Sequence, residues 1–394
     1  MDSNEKVNSK ELVGHWVKQF MTRRRIQGYQ IVDDISTIEN CGYLSDIHLV
    51  TVRYSTENNK PETLNLIIKH DFYKSSPLIA LAFRIETHIY RTVVETFNQF
   101  LESKNLPSLN VIPKYYDSFT DQNAQVIITE NIVKLGYKLM DRTACADMNH
   151  CYILLEAYAK FHALSFALKD QQPEKFKALC GTEEFYSVYI EEQKDSIRKD
   201  IAGINELLKR NGDEELSIKL MKELENRFNG KITLNSEEEQ AVFVHGDNWN
   251  HNHMFLYDKK DPTKPAAVML VDWQLACLRS PAFDLALLLF LVCSKNELDQ
   301  LEHLLKTYHK FLTNYLKQLG SSEDLFTFED LKRHWKDYSI LGIVIMILDL
   351  KIVVSNDFYG GFNFTESVEE LYYPRAKAVL ETYFKFKEKF SIIQ

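Results

Sequence analysis

The stretch that most limits what this chain can become runs from residue 242 to residue 284, VFVHGDNWNHNHMFLYDKKDPTKPAAVMLVDWQLACLRSPAFD. Val242-Phe243-Val244 is a short apolar run that reads as a strand delivering His245-Gly246-Asp247 into a loop. Asn252 follows Asp247 by five positions, and the chain turns apolar again at Met254-Phe255-Leu256. A polar turn over 257–264, with Asp261-Pro262 inside it, leads to a second apolar run, 267–271, that ends on Asp272-Trp273-Gln274. Two short buried strands joined by a tight turn would bring Asn252 and Asp272 to the same end of the pair.

Two carboxylates and an amide gathered in this way suit metal-assisted phosphoryl transfer. Moving a γ-phosphoryl group from ATP needs an acceptor hydroxyl held in line and Mg²⁺ to neutralise charge on the phosphate oxygens. Mg²⁺ takes oxygen ligands, often one or two side chains completed by phosphates and water. Asp272 and the amide oxygen of Asn252 meet that demand, and Asp247 would accept or orient the proton of the acceptor hydroxyl. The Asp-x4-Asn spacing matches the catalytic loop of protein-kinase-like enzymes. Alone it is a weak signal; the whole set in this order is a strong one.

HGDNWNHNHMF followed by VDWQ, with SPAFDLALLL after it, resembles the ecdysteroid-kinase-like family, also called the choline-kinase-like domain, within the wider clan of choline kinases and aminoglycoside phosphotransferases. Trp249 in the loop and Trp273-Gln274 after the metal aspartate favour this branch over choline kinase itself. His245-Gly246, where protein kinases have His-Arg, is the form that small-molecule kinases of that fold use. The resemblance implies that Asp284 accepts backbone amide hydrogen bonds from the catalytic loop and holds it rigid. A plain acid in the first turn of a helix is the competing explanation for that residue.

The rest of the chain fits such a frame. At 394 residues it is long enough for two lobes with a sizeable core. A net charge of −9 with pI near 5.8 argues against a general nucleic-acid surface. The six cysteines show no CxxC pairing, so reduced core thiols in a cytoplasmic protein are expected. No membrane attachment is expected: the longest apolar runs, 285–293 and 340–348, fall short of the roughly 18 residues a membrane helix needs.

Near the start, Asn8 and Glu11 have the spacing of a helix cap with its reciprocal acid, and Leu12, Val13, Trp16, Val17 and Phe20 then share one helical face. From 29 to 130 short strands dominate. Residues 47–54 and 64–69 read as one hairpin, 114–119 and 125–130 as another, with a helical stretch at 79–101 between them. Lys69 ends an apolar strand, as the phosphate-binding lysine does in kinases, and Glu86 in the following helix is placed to pair with it. CGYLSD, residues 41–46, stands where a phosphate-covering loop belongs. It has no GxGxxG, but Gly42 and Ser45 resemble the looser version of the family. QVIITENIV, residues 125–133, reads as a strand turning into a hinge, with backbone groups around Glu130 to Ile132 to meet adenine; Asn131 departs from the usual Glu-Asp-Leu of the family.

Beyond residue 133 the pattern is helical. Residues 148–168 form a long apolar-rich helix in which His162 reads as a packed core histidine, and AKFHALS resembles a recurrent family stretch. Residues 194–227 alternate charge and apolar side chains at helical spacing, as solvated helices do. Residues 285–293, 301–319 and 338–354 read as core helices, and NDFYGGFNF, 356–364, as an aromatic loop that either caps a substrate pocket or lies on the surface.

The sequence therefore predicts an α+β, protein-kinase-like fold of two lobes. A small antiparallel-sheet lobe covers 1–133 and binds nucleotide; a larger, mostly helical lobe covers 134–394 and carries the catalytic and substrate-binding groups. The expected reaction is ATP- and Mg²⁺-dependent phosphorylation of a hydroxyl on a small molecule, which the family resemblance makes an ecdysteroid or another apolar or xenobiotic alcohol. A choline- or aminoglycoside-type kinase, needing an acidic or aromatic cage for a cation, and a nucleotide-binding pseudokinase scaffold are the rivals. Against the scaffold stands the intact set Lys69, Glu86, Asp247, Asn252 and Asp272. A peptide acceptor is disfavoured, because no activation segment separates Asp272 from Asp284.

Overall fold

Alternating strands and the helices Ser3–Arg23 and Pro77–His88 build the first of two units, Met1–Glu95 with Ile112–Lys138. The structure is a computed structural model. It describes the chain apart from residues 1–2, 33–34, 39–44, 57–59, 72–75, 122–123, 182–183, 229–238, 356–361, 363 and 392–394, and apart from the side chains of 3–9, 38 and 226–228. Asp46–Ser55 and Pro61–His70 form a long antiparallel hairpin, and Ala124–Glu130 lies beside its second strand with Tyr115–Asp121 at the edge. Side chains along each strand alternate between faces. Leu66 and Ile68, with Val50, Val52, Val126 and Ile128, pack beneath Val13, Trp16, Val17, Phe20 and Met21 of the helix Ser3–Arg23. That helix covers one face of the sheet, so Lys69 turns to the other, where the helix Pro77–His88 lies. The cap expected at Asn8 does not form. The helix already begins at Ser3, because SNEKVNS contains no glycine or proline to stop it, and Asn8 stands inside it. The helical stretch expected at 79–101 is Pro77–His88 and Glu95–Ser103 joined through a π-helical turn, Ile89–Val94.

The second unit, Thr96–Val111 with Leu139–Gln394, is built on helices. Met148–Gln171 is its axis, packed against Leu301–Gln318. Pro281–Val292 is buried along its whole length and lies against Phe328–Ser355. A Cβ added to Gly342 would meet the Ala286 side chain at 2.8 Å, so a larger residue at 342 would force those two helices apart. The segment Glu323–Ser355, which contains the run at 340–348, has a mean hydropathy of 2.1 in its most apolar window and is by length and composition long enough to cross a membrane. The helix is longer than that run, yet 72% of the window is buried inside the protein. NDFYGGFNF lies largely outside the described residues; of those described, Phe362 meets the Tyr372 ring edge-on and Phe364 meets it at a tilt.

Candidate active site

The loop after Val242–Val244 is held by hydrogen bonds from its own His245 and from residues that the fold brings beneath it. The strand pairs antiparallel with Cys277–Arg279, which brings the loop under Leu275. Gly246 has φ +82°, and a Cβ there would sit 2.3 Å from the Leu275 carbonyl oxygen, so glycine is required. His245 Nε2 donates to the Val271 carbonyl at 2.9 Å, and its Nδ1 accepts from the Asp247 amide at 3.2 Å. One neutral imidazole thus ties the Asp247 backbone to the strand end that precedes Asp272.

Beneath the loop lies Asp284, fully buried in the first turn of Pro281–Val292. Its carboxylate accepts from the amides of His245 at 2.7 Å and Gly246 at 2.9 Å, and from the Asn248 side chain at 2.9 Å. His162 Nε2 adds a fourth contact at 3.1 Å. Burial alone would raise this carboxyl, but the hydrogen bond and charge of His162, with the Gly246 amide, outweigh it and hold the pKa below the usual range. The ionised carboxylate is the acceptor on which the loop is fastened.

The apolar runs on either side of the polar turn form the expected hairpin, His253–Tyr257 with Pro265–Leu270, in a register that sets Leu270 opposite His253. Immediately beyond the pair, the Val271 amide donates to the Asn252 carbonyl at 3.0 Å. Asn252 and Asp272 therefore leave the same end of the hairpin. The Asn252 Nδ2 donates to the Asp247 carbonyl at 2.9 Å, which leaves Oδ1 as the atom of that amide able to meet a cation. Asp272 is half-buried and has φ +65°, a left-handed conformation that few non-glycine residues adopt.

In the first unit Lys69 Nζ donates to Glu86 Oε2 at 2.6 Å, with both side chains less than a tenth exposed. The Lys69 ammonium also lies 5.7 Å from the Phe83 ring centroid. Of the other nucleotide-binding residues expected there, Gly42 falls outside the described residues, and Ser45 is half-buried just before the strand Asp46–Ser55. Glu130 ends its strand with its amide bonded to the Lys114 carbonyl at 2.8 Å. Asn131 caps the short turn Ile132–Leu135, and the buried Ile132 carbonyl accepts from the Tyr137 amide at 3.2 Å.

Several residues that hold the site carry no distinctive sequence signal. His162 is a packed core histidine, as expected, but it also bridges Asp284 to the Tyr308 hydroxyl, 2.9 Å from its Nδ1. The Tyr158 hydroxyl donates to Asn248 Oδ1 at 2.7 Å and accepts from His253 Nε2 at 2.9 Å. Burial pulls His253 down to about 3, which keeps that ring neutral. The Tyr186 hydroxyl donates to the Gly246 carbonyl, and Trp273 is buried between Phe161 and His245 with centroid distances of 4.5 and 4.4 Å. Only the hydroxyl or ring type hinted at any of these; their partners are set by tertiary packing.

The described residues contain no cluster of three or more His, Cys, Asp or Glu able to hold a metal. The Asp272 carboxylate and Asn252 Oδ1 are a two-oxygen set of the kind Mg²⁺ uses when phosphates and water complete its shell. The donor chemistry fits that ion and does not fit a soft metal. The sequence model of one family, described as the ecdysteroid kinase-like family, matches residues 39–321. No curated protein matches the chain. Among solved structures, a protein described as a fructosamine-3-kinase of Haemophilus somnus 129PT shares 9% identity at a TM-score of 0.39, covering 92% of this chain and 96% of its own. An aminoglycoside-3'-phosphotransferase of type VIII shares 13% identity at a TM-score of 0.30, with the same coverage.

Proposed function

The chain belongs to the ecdysteroid kinase-like family, and on that premise we propose that it transfers the γ-phosphoryl group of ATP to a hydroxyl of a small apolar molecule, an ecdysteroid or another apolar or xenobiotic alcohol. What supports this most is the hairpin end, where the Val271–Asn252 backbone bond and the Asn252–Asp247 contact bring one amide and two aspartates to a single strand terminus. In this reading Asp247 takes the proton of the acceptor hydroxyl as its oxygen bonds to phosphorus. Asp284 and His245 keep the loop from shifting while that happens. Asn252 Oδ1 and Asp272 would hold Mg²⁺, which when bound neutralises charge on the phosphate oxygens. Lys69, fixed by Glu86, would bind the α- and β-phosphates; backbone groups around Glu130 and Ile132 would meet the adenine, and Gly42 and Ser45 would cover the phosphates. The reaction is assigned to the cytoplasm, where the buried thiols of Cys151 and Cys293, with sulfurs 3.5 Å apart, would stay reduced.

Nucleotide binding tests the metal assignment directly. Asp272→Ala should weaken ATP binding in the presence of Mg²⁺ by roughly tenfold or more while leaving metal-free binding unchanged, a loss of one charged ligand contact. Calorimetric titration with and without Mg²⁺ reads this out. Equal Mg²⁺ dependence in wild type and variant would move the metal ligand elsewhere.

A further inference from the structure

The peptide unit that joins Gly246 to Asp247 sets where the Asp247 side chain starts from, because the Asp247 Cα lies in its plane. The Asp284 carboxylate fastens the two peptides before it, through the amides of His245 and Gly246, and Asn252 holds the one after it, through the Asp247 carbonyl. None of these bonds touches the Gly246–Asp247 unit. Sterics do little there, since Gly246 has φ +82° and no Cβ, and a glycine leaves its neighbouring peptide more rotational freedom than any other residue. Two hydrogen bonds fix it instead. Its N–H donates to His245 Nδ1 at 3.2 Å, from within the loop, and its carbonyl accepts from the Tyr186 hydroxyl, 60 residues earlier in the chain.

Tyr186 stands in the first turn of the helix Phe185–Arg210 and is buried. Its ring meets Phe283, the neighbour of Asp284, edge-on at 5.6 Å, and the Arg279 guanidinium lies 5.7 Å from its centroid. Arg279 is paired in register with Val242, at the start of the strand that delivers the loop, and its charge is answered by Glu184, two residues before Tyr186. The ring is thus seated by the same strand pair that carries the loop. Burial, with the Asp247 charge adding to it, keeps the hydroxyl pKa well above its ordinary value, so the proton that bonds Gly246 is not lost. A buried hydroxyl finds an acceptor in any well-packed fold. What singles this one out is that its acceptor is the one peptide leading into Asp247.

We infer that Tyr186 is a positioning residue for Asp247: its hydroxyl fixes the plane of the Gly246–Asp247 peptide, and with it the direction in which the Asp247 carboxylate is presented to the acceptor hydroxyl. It does so without touching acceptor or nucleotide. The inference rests on the phosphotransferase reading above for what Asp247 does; the fastening of the loop stands without it. Removing the hydroxyl leaves the Gly246 carbonyl buried and unpaired. The peptide can then rotate about the bonds on either side of it, and the carboxylate spends less time aimed at the proton it must take.

The test compares the full chain as wild type, Tyr186→Phe and Tyr383→Phe. Tyr186→Phe keeps the ring and its packing; Tyr383→Phe removes another buried hydroxyl, bonded to Glu223 at 2.9 Å, away from the loop. Hydrogen exchange across residues 245–252 reads the loop with no substrate present. Phosphate-ester formation from a metabolite extract with Mg·ATP, KM for ATP and thermal melting are measured beside it. Tyr186→Phe should exchange these amides about tenfold faster and form ester about tenfold more slowly, the worth of one hydrogen bond, with KM for ATP unchanged. Tyr383→Phe should melt lower than wild type yet match it in loop exchange and ester formation. Wild-type exchange or wild-type turnover in Tyr186→Phe, a KM for ATP that rises as turnover falls, or the same changes in Tyr383→Phe overturns the inference. Faster loop exchange confined to Tyr186→Phe, with no ester formed by wild type, upholds the fastening and sinks the kinase reading instead.

Discussion

Asp272 shows how much of this site is decided at single residues. Its φ of +65° is a conformation that costs most L residues about 1 kcal/mol, and aspartate tolerates it better than most. Strain of this kind persists where the surroundings over-determine it, and here the flanking Val271 amide and the buried Trp273 fix the chain on both sides. Asp272→Gly should therefore be more stable than Asp272→Ala by about 1 kcal/mol, although both lose the carboxylate proposed to hold Mg²⁺. Chemical denaturation of the two variants measures the gap; equal midpoints would show that the position is unstrained. The identity of Asp272 was legible from the VDWQ run. Its backbone was not, because nothing in the residue types distinguishes an extended aspartate from a left-handed one. Gly246 is the opposite case: the glycine is visible in the sequence, and the Leu275 carbonyl that demands it comes from a turn, just before the strand Cys277–Arg279, that only the folded chain brings near.

Among the elements, the sheet of the first unit carries its own pH response. His48 and His70, on adjacent strands, stack with centroids 5.0 Å apart and Nε2 atoms at 2.9 Å, and Trp16 lies 4.5 Å from the His70 ring. Burial pulls His48 down to about 4, and burial together with the His48 charge pulls His70 to about 3. In the unfolded chain both rings take a proton near pH 6.5. Between pH 6.5 and about 4 the unfolded state binds more protons, so stability falls as pH drops through that window. Hydrogen exchange of the strands Asp46–Ser55 and Pro61–His70 should accelerate at pH 5 relative to pH 7, after correction for intrinsic rates, and His48→Phe should blunt the change. Equal protection at both pH values would contradict it. The two hairpins of this sheet were legible from alternation and turn residues. The pairing of Val242–Val244 with Cys277–Arg279 was not, since three-residue strands far apart in sequence leave no local pattern. The π-helical turn at Ile89–Val94 was hidden for a similar reason: its residues have ordinary helical character, and only packing shifts the bond pattern.

For the whole molecule, the sequence order of a sheet-rich part followed by a helical part was readable from a change in hydrophobic period. Which unit takes Thr96–Val111 is settled by tertiary contacts that periodicity does not encode. In the proposed reaction this chain phosphorylates a small alcohol with Asp247 as the base. Incubating a metabolite extract with ATP and Mg²⁺, and reading new phosphate esters by mass, tests it most directly. Wild type should produce at least one such ester and Asp247→Asn none, with Mg·ATP binding preserved in the variant. Esters formed at the wild-type rate by Asp247→Asn, or none formed by wild type across extracts rich in hydroxylated apolar compounds, would contradict the account.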